Sequence, residues 1–489
     1  MRNKFSRRGV LAGLLAGAAA PALANAPLQS LRPVPRPGSV GIPEAAQIVA
    51  GAKLGGVTAY AVARADGTVL EAHAARALLP PASVAKSVTA LYAMDALGAS
   101  YRFATVLMGT GPIEDGVLKG DLILKGTGDP IFDTDALGGL AGQLADAGVK
   151  SIEGGFFVDG RALPALEQID PGQLAQSGYN PSVSGMNLNY NRVHFEWRRA
   201  SGTYNLTMDA RARKYQPAVR SATMRMVSDA YPVFTHRMGD TREHWTVARP
   251  ALGNGGARWL PVRMPERYAG DVFRTLAASM GVTVPVAELE VAPLRGAVLA
   301  SHISPSLRGL CGGMLRYSTN LTAEVLGLRG TQARGVEPGS LLASAAQMNV
   351  WAQEAYGVEM ALVDHSGLGD ASRVSCEGLV RMMTGSDGLE QMLKTIAVKD
   401  AQGAVRENAP YAIRAKTGTL NFVSSLAGYV TPQGGERLSF AIISADLARR
   451  AAIPETDRER PAGSKTYARS SRAMQQALIA RWAAIGAEA

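Results

Sequence analysis

The chain has few charged side chains, two cysteines and no apolar run that could cross a bilayer. Charged residues make up 19% of the 489 residues and hydrophobic residues 47%, which excludes a polar, disordered chain. Two cysteines are too few for a disulfide scaffold, and Cys311 and Cys376 either form one bridge or remain two buried thiols. Every apolar run is shorter than the roughly eighteen residues that a membrane span needs. We therefore expect two or three globular units.

Patterns for metal ions and nucleic acids are missing as well. The six histidines lie in no HExxH or paired HxH spacing and the chain has no CxxC, so we predict no metal site and no cofactor. The net charge is +10, but four of the cations fall in the first eight residues. No Lys/Arg-rich tract with interleaved aromatic residues follows, so nucleic-acid binding is not expected.

The first 24 residues have the pattern of an export signal. A basic start precedes sixteen small or apolar residues (9–24), and Ala22-Leu23-Ala24 has the form of a cleavage site, so we predict cleavage after Ala24. Residues 6–11, Ser-Arg-Arg-Gly-Val-Leu, resemble the twin-arginine signal, and the alternative is an ordinary secretory head that holds two arginines. The sequence predicts export to the periplasm, a proline-rich linker over residues 25–41 and no membrane-spanning segment after cleavage.

Strand and helix patterns recur at the two ends of the chain. Near the start, residues 56–63 and 68–74 predict a hairpin across Asp66-Gly67, and a helix follows over residues 83–97. Near the end, alternation over residues 412–420 predicts a strand.

The last quarter of the chain completes the same pattern. A hairpin is predicted from residues 424–431 and 438–445, and a closing helix from residues 470–485. Short strands and turns fill the middle of the chain. These patterns predict one α/β domain, residues 42–109 and 298–489, that is split by a large, mainly β module over residues 110–297 with one or two subdomains.

The first chemical motif is Ser83-Val84-Ala85-Lys86 at the start of the predicted helix. Residues three apart share a helix face, so the hydroxyl and the amine can touch. The rest of this helix is almost entirely apolar, and burial would lower the pKa of Lys86 until it could accept the proton of Ser83. The alternative is a helix cap with a lysine that extends to solvent.

Two later motifs add polar groups of the same kind. Lys416-Thr417-Gly418-Thr419 lies on the predicted strand, where a glycine indicates a close approach to the backbone. A cation, hydroxyls and a strand edge suit an extended peptide that ends in a carboxylate, and a surface strand with one lysine is the alternative. Ser318-Thr319-Asn320 breaks a helical region and could be a simple helix cap.

The ordered combination of SxxK, SxN and KTG resembles the penicillin-recognising serine enzymes. The separation of 235 positions from Ser83 to Ser318 resembles that of the D-alanyl-D-alanine carboxypeptidase/endopeptidase family, the class C low-molecular-weight penicillin-binding proteins. The resemblance extends to segments 120–130, 302–305, 364–368 and 414–420. It implies a transpeptidase-like domain, an antiparallel sheet flanked by helices, with a large insertion. Two departures are Thr319, where the family usually has aspartate, and His365, where glycine is usual.

The resemblance also implies the function and the residue roles. The enzyme would hydrolyse the D-alanyl-D-alanine bond of peptidoglycan stem peptides, with β-lactam antibiotics as covalent inhibitors. Ser83 would be the nucleophile, Lys86 its base and Ser318 the proton relay to the leaving amine. Asn320 would orient the lysine and the substrate amide, and Lys416 would support the proton network and attract the terminal carboxylate.

Further residues are implied for substrate binding. The hydroxyls of Thr417 and Thr419 would bind the carboxylate beside Gly418, and the backbone N–H groups of Ser83 and Thr419 would form the oxyanion hole. Asp159 is the candidate for the acidic residue by which the insertion meets the amino group of the stem peptide.

Two other functions compete with this one. A β-lactamase or esterase on the same fold would need a dedicated deacylation base, and no ExxLN pattern lies between the first two motifs. A non-catalytic peptidoglycan-binding protein would need no nucleophile, whereas Ser83, Lys86 and Lys416 are all present.

Overall fold

The computed structural model of the protein describes residues 43–288, 295–400 and 403–487. The predicted export signal (1–24) and linker (25–41) lie outside these ranges. None of the helices in the described ranges is long and apolar enough to cross a membrane.

The strands are, in chain order, β1 (Val57–Ala63), β2 (Val69–His73), β3 (Ala104–Gly109), β4 (Ile113–Glu114), β5 (Val117–Leu118), β6 (Leu122–Gly126), β7 (Ser151–Ile152), β8 (Phe156–Asp159), β9 (Arg192–Ala200), β10 (Thr203–Asp209), β11 (Ala222–Val227), β12 (Phe234–Met238), β13 (Glu243–Ala248), β14 (Gly255–Pro261), β15 (Ala287–Glu288), β16 (Ala297–Ile303), β17 (Lys394–Thr395), β18 (Tyr411–Leu420), β19 (Val423–Pro432) and β20 (Leu438–Ala445).

The α-helices are α1 (Ala45–Gly51), α2 (Ala85–Leu97), α3 (Thr134–Asp146), α4 (Pro265–Ser279), α5 (Leu307–Tyr317), α6 (Asn320–Ala333), α7 (Leu341–Tyr356), α8 (Cys376–Thr384), α9 (Leu389–Met392), α10 (Leu447–Ala451) and α11 (Ser464–Ala487).

The main sheet joins the two ends of the chain. Its order is β17-β18-β19-β20-β1-β2, and every neighbouring pair is antiparallel. The predicted hairpins are therefore confirmed as β1–β2 and β19–β20. β1 lies beside β20, with Val57 opposite Ala445, so the N-terminal hairpin extends a sheet made by the C-terminal strands. This pairing explains how one domain forms from two segments that are far apart in sequence.

Helices cover both faces of this sheet. Successive side chains of a strand point to opposite faces, so neighbouring residues pack against different helices. On β1 and β20, Ala61 and Ile443 point into a core shared with α2, α5, α6 and α8. Val62 and Ile442 point the other way, into a core that contains Trp482 of α11. Because the sheet is covered on both faces, every residue of β20 is buried, including Ser439 and Ser444.

The inserted module has its own core and a second sheet of order β15-β8-β6-β3-β16. Three three-stranded sheets, β10-β9-β14, β11-β13-β12 and β4-β5-β7, add to it. α3 and α4 pack together beside the second sheet. The chain enters through β3 and leaves through β16, which pair with each other. Since both strands belong to the sheet of the module, we propose module boundaries at 104 and 303 instead of 110 and 297. The predicted fold class is confirmed.

Both cysteines are buried and free in the helical layer of the peptidase domain. Cys311 lies on α5 and Cys376 opens α8. Of the two alternatives that the sequence left open, the structure has the pair of buried thiols.

Candidate active site

Ser83 lies in a short 3₁₀ turn, Ala82–Val84, that leads directly into α2. Apolar residues surround this helix, so it is buried from Ala85 to Ala93. The spacing of three residues places Lys86 Nζ 3.0 Å from Ser83 Oγ, and the lysine is fully buried. The alternative of a lysine that extends to solvent is therefore wrong, because the amine is enclosed by the protein.

Three oxygen atoms surround the amine of Lys86. They are Ser83 Oγ at 3.0 Å, Asn320 Oδ1 at 2.7 Å and the carbonyl oxygen of Ser366 at 2.8 Å. The amide and carbonyl oxygens can only accept hydrogen bonds. A neutral amine therefore directs its two hydrogens to Asn320 and Ser366, and its lone pair faces the hydroxyl of Ser83. This geometry is that of a general base aimed at one nucleophile.

Burial lowers the pKa of Lys86 to about 8, while the nearby charges of Glu324 and Asp364 act in the opposite direction. An amine with this pKa is neutral in a useful fraction of molecules near neutral pH. It can therefore accept a proton without a metal ion or a second base.

A second serine–lysine pair stands beside the first. Lys416 on β18 is buried and donates to Ser318 Oγ at 2.9 Å and to the carbonyl of Thr417 at 2.7 Å. Ser318 caps the end of α5 in a left-handed conformation with φ of 60°, and α6 begins two residues later at Asn320. The polar break in the sequence is thus a helix cap that also places a hydroxyl on Lys416.

Burial, together with the nearby charges of Lys86 and Lys394, lowers the pKa of Lys416 to about 6. The amine is therefore largely neutral at pH 7 in the free protein. We infer that it gains its charge when an anion arrives, since an opposite charge at short range favours the protonated form.

Gly418 allows β18 to lie against the nucleophile turn. A Cβ at this position would lie 2.9 Å from the backbone nitrogen of Ser83 and 2.8 Å from the carbonyl oxygen of Pro81. The close approach that the sequence predicted for this glycine is confirmed, and the approaching group is the Ser83 turn itself. Any larger residue would separate the strand from the serine.

A cleft of about 620 Å³ opens over the two serines. The peptidase domain contributes Ser83, Ser318, Asn320 and Thr419 to its wall. Thr417, which we predicted as a second carboxylate partner, instead lines a cavity between β18 and α11. Thr419 therefore stays our predicted partner for the substrate carboxylate, and the role of Thr417 also stays a prediction, although this residue lines the other cavity.

The predicted acidic residue of the insertion is also placed elsewhere. Asp159, at the end of β8, is buried and accepts hydrogen bonds from Arg161 Nε at 2.9 Å and from the backbone N–H of Arg161 at 3.1 Å. The carboxylate that the insertion contributes to the cleft is Asp170, and Tyr179 lies in the same wall. Arg161 already binds Asp159, so its role stays a prediction, and Asp170 is the acid of the insertion that lines the cleft. The turn sequence Asp170-Pro171-Gly172 was the available signal for the other aspartate.

Two buried carboxylates behind Lys86 were not predicted. Glu324 lies one helical turn after Asn320 on α6, and its oxygens accept the backbone N–H groups of His365 at 2.9 Å and Ser366 at 3.0 Å. These contacts hold the Ser366 carbonyl against Lys86. Burial raises the pKa of Glu324 to about 8. An acid within an otherwise apolar stretch of helix was the signal in the sequence.

Asp364 secures the other half of the same loop. Its two oxygens accept the N–H groups of Gly367 at 2.7 Å and Gly369 at 2.6 Å, and its side chain is almost fully buried. Together, the two carboxylates bind four backbone N–H groups of residues 365–369. The loop that carries a hydrogen-bond acceptor for Lys86 is therefore held from both ends.

The site contains a serine that is hydrogen-bonded to a buried lysine, and a second serine–lysine pair lies beside it on the antiparallel sheet. This arrangement defines an acyl-transfer enzyme with a serine nucleophile and a lysine base. Comparison with known proteins agrees with this class. Residues 45–460 match the D-Ala-D-Ala carboxypeptidase 3 (S13) family. The chain belongs to this family, and it is a serine-type carboxypeptidase.

Relatives of known sequence and structure extend over most of the chain. A D-alanyl-D-alanine carboxypeptidase of Actinomadura is 26% identical over 75% of this chain and 73% of its own length. The D-alanyl-D-alanine carboxypeptidase DacB of Haemophilus influenzae is 24% identical over 73% of this chain and 79% of its own length. The crystal structure of penicillin-binding protein 4 from H. influenzae superposes with a TM-score of 0.67, at 20% identity, over 87% of this chain and 99% of that one.

Proposed function

We propose that the enzyme hydrolyses the D-alanyl-D-alanine bond of peptidoglycan stem peptides through an acyl-enzyme on Ser83. The observation that carries this proposal is the arrangement around Lys86, where two acceptor-only oxygens direct the lone pair of the amine to Ser83 Oγ. A protein that only bound peptidoglycan would gain nothing from a buried lysine aimed at a serine.

In acylation, Ser83 Oγ attacks the carbonyl carbon of the penultimate D-alanine while its proton moves to Lys86 Nζ. The negative charge that develops on the carbonyl oxygen is stabilised by the backbone N–H groups of Ser83 and Thr419. As the C–N bond breaks, Ser318 gives its hydroxyl proton to the departing amine, and Lys416 replaces that proton. The products are a Ser83 ester and free D-alanine.

In deacylation, a water molecule attacks the Ser83 ester and gives its proton through Ser318 to Lys416, which lost one in acylation. Lys86 returns the proton that it took in acylation to the Ser83 oxygen that leaves. The acid is released, and Ser83 regains its hydroxyl. A β-lactam enters by the same attack, because its strained amide imitates the scissile bond. Its amine remains tethered to the acyl group, so the intermediate persists.

Substrate recognition uses both parts of the chain. Lys416 and Thr419 meet the terminal carboxylate, and Asp170, which the inserted module contributes to the cleft, meets an amino group of the stem peptide. The support for Asp170 is its place in the wall that also contains Ser83. Replacing Asp170 by Asn should raise KM for stem peptides with a free amino group and leave acylation by benzylpenicillin unchanged.

We also propose that the enzyme acts in the periplasm. The basic, weakly apolar head with its Ala-Leu-Ala site supports export, and peptidoglycan lies outside the cytoplasm.

Benzylpenicillin tests the proposed chemistry directly. Intact-protein mass should rise by one drug molecule, the label should lie on the peptide that contains Ser83, and Ser83→Ala should stay unlabelled. Wall fragments should lose a terminal D-alanine in the same preparation. An unlabelled native protein would support the non-catalytic alternative, and rapid turnover of the drug would support a β-lactamase.

A further inference from the structure

A basic groove lies on the other side of Ser318 from the Ser83 cleft. Its cations are Arg308, Arg316, Lys394 and Arg414, and it encloses about 580 Å³. No aspartate or glutamate is among the described residues of its wall. Within the described parts of the chain, none of the four cations forms an ion pair. Four unpaired cations without an acid form a site for an anion.

The floor of the groove is open. It includes two adjacent glycines of α5, Gly312 and Gly313, and a Cβ on either would meet nothing within 4 Å. Arg308, Arg316 and Arg414 are exposed, so their guanidinium groups can reach a ligand. The groove therefore has room for a peptide chain between its cations.

The Ser318–Lys416 pair lies between the groove and the Ser83 cleft along two segments of the chain. Along the chain from α5 into α6, Arg316 lines the groove and Asn320 lines the cleft, with Ser318 between them. Along β18, Arg414 lines the groove and Thr419 lines the cleft, with Lys416 between them. Ser318 Oγ and Lys416 Nζ are 2.9 Å apart, so this pair marks the boundary.

This arrangement of groove, Ser318–Lys416 pair and cleft assigns the leaving group of the substrate to one side of the pair and the acyl part to the other. In the proposed reaction Ser318 protonates the departing amine, so the leaving group lies at the boundary and the acyl part extends into the cleft that the inserted module helps to line. β17 pairs with Ala415 and Arg414, so the edge of β18 from Lys416 to Leu420 is left to bind the acyl part as an extended peptide, and the leaving group lies on the other side of the scissile bond. A leaving group longer than one residue must continue towards the groove.

We propose that the basic groove binds the leaving stem peptide of a cross-linked substrate through the free carboxylates of that peptide. The inference rests on the proposed function, because it assigns a second subsite to the same reaction. When the leaving group is a single D-alanine, it ends at Lys416 and Thr419 and does not reach Arg308 or Arg316. When it is a second stem peptide, it carries carboxylates into the groove, and the enzyme cleaves the cross-link as an endopeptidase.

The test compares one variant on two substrates. The Arg308→Gln/Arg316→Gln double variant removes two groove cations that touch neither serine. The matched control is Arg199→Gln/Arg213→Gln, which makes the same change of charge at exposed positions of the inserted module. The substrates are a purified cross-linked stem-peptide dimer and a short peptide that ends in D-alanyl-D-alanine, with benzylpenicillin acylation as a measure of intact chemistry.

We expect kcat/KM for the dimer to fall about five- to tenfold in the double variant, as two weak charge contacts would predict. The short peptide, the acylation rate and the control variant should be unaffected. The difference should shrink in about 0.5 M salt, because ions screen exposed charges. A second dimer, in which the carboxylates of the leaving stem peptide are amidated, removes the same contacts from the substrate. Native enzyme should cleave this amidated dimer as slowly as the double variant cleaves the unmodified dimer.

Three results would overturn the inference: an unchanged rate on the dimer, an equal loss on the short peptide, or an equal loss in the control variant. The proposed function fails in a different way, since native enzyme would then neither be acylated nor cleave either substrate.

Discussion

The imidazole of His365 occupies the space beside Gly327, where a Cβ would lie 2.1 Å from His365 Cγ. His365 Nε2 is 2.8 Å from Ser344 Oγ, and the ring stacks on Tyr92 with centroids 6.4 Å apart. Burial lowers the pKa of His365 to about 3, so the ring is neutral. A histidine at a position where the family usually has glycine is therefore accommodated by a glycine on the facing helix, α6.

Replacing Gly327 by Ala should destabilise the protein by about 2 kcal/mol or more, because the methyl group collides with a buried ring that cannot move aside. The higher helix propensity of alanine stabilises the folded protein by only about 1 kcal/mol, which does not offset this loss. Urea unfolding of Gly327→Ala, His365→Gly and the double variant measures the coupling. The double variant should lose clearly less than the two single losses together, and additive losses would contradict the proposed contact.

Acylation by benzylpenicillin should depend on pH through Lys86. The amine is a base only when it is neutral, so the acylation rate should rise with pH and level off above an apparent pKa of about 8. Lys86→Arg should lower the rate by roughly 10² to 10⁴, since arginine keeps its proton. The exposed Lys465→Arg serves as the control. A pH-independent rate in the native enzyme would show that another group is the base.

Glu324→Gln should move the same pH dependence towards lower pH. The carboxylate favours the charged form of Lys86, so its removal lowers the pKa of the amine. Asp364 and Lys416 also face Lys86 and remain in place. Glu324→Asp keeps the charge but shortens the reach to the N–H groups of His365 and Ser366, so it should lower the plateau without moving the apparent pKa. Equal pH profiles for native enzyme and Glu324→Gln would contradict this role.

The two thiols should be unreactive in the native protein. Burial raises the pKa of Cys311 and of Cys376 to about 12, so neither forms a thiolate at pH 8. A thiol-reactive chromophore should label no cysteine before unfolding and both after it, and reducing agents should leave the unfolding midpoint unchanged. Labelling of the native protein, or a midpoint that falls on reduction, would contradict the buried thiols.

Export should depend on Arg7 and Arg8 if the twin-arginine interpretation is right. Lysine at both positions keeps the basic start but loses the arginine pair, so precursor should accumulate in the cytoplasm. The matched control replaces Arg2 by Lys. Normal export of the Arg7→Lys/Arg8→Lys variant would favour the ordinary secretory route.

The sequence by itself determined the nucleophile, its base and the architecture of the peptidase domain. Ser83 and Lys86 are three residues apart in one helical segment, so local geometry is enough to bring them together. The strand alternation and the turn at Asp66-Gly67 are local in the same way. The ordered motifs added Ser318, Asn320 and Lys416, because each stands within a short pattern that can be recognised without knowing its neighbours.

Only the tertiary structure decided which acids and threonines line the cleft. The sequence could not tell Asp159 from Asp170, because each begins a turn and only packing shows that Arg161 binds the first while the second faces the cleft. Glu324 acts on Lys86 through the backbone of His365 and Ser366, which lie 41 and 42 residues later in the chain. Ser318 at the end of α5 contacts Lys416 of β18, which lies 98 residues later. Contacts across such distances depend on how sheets and helices pack, and no local spacing encodes them.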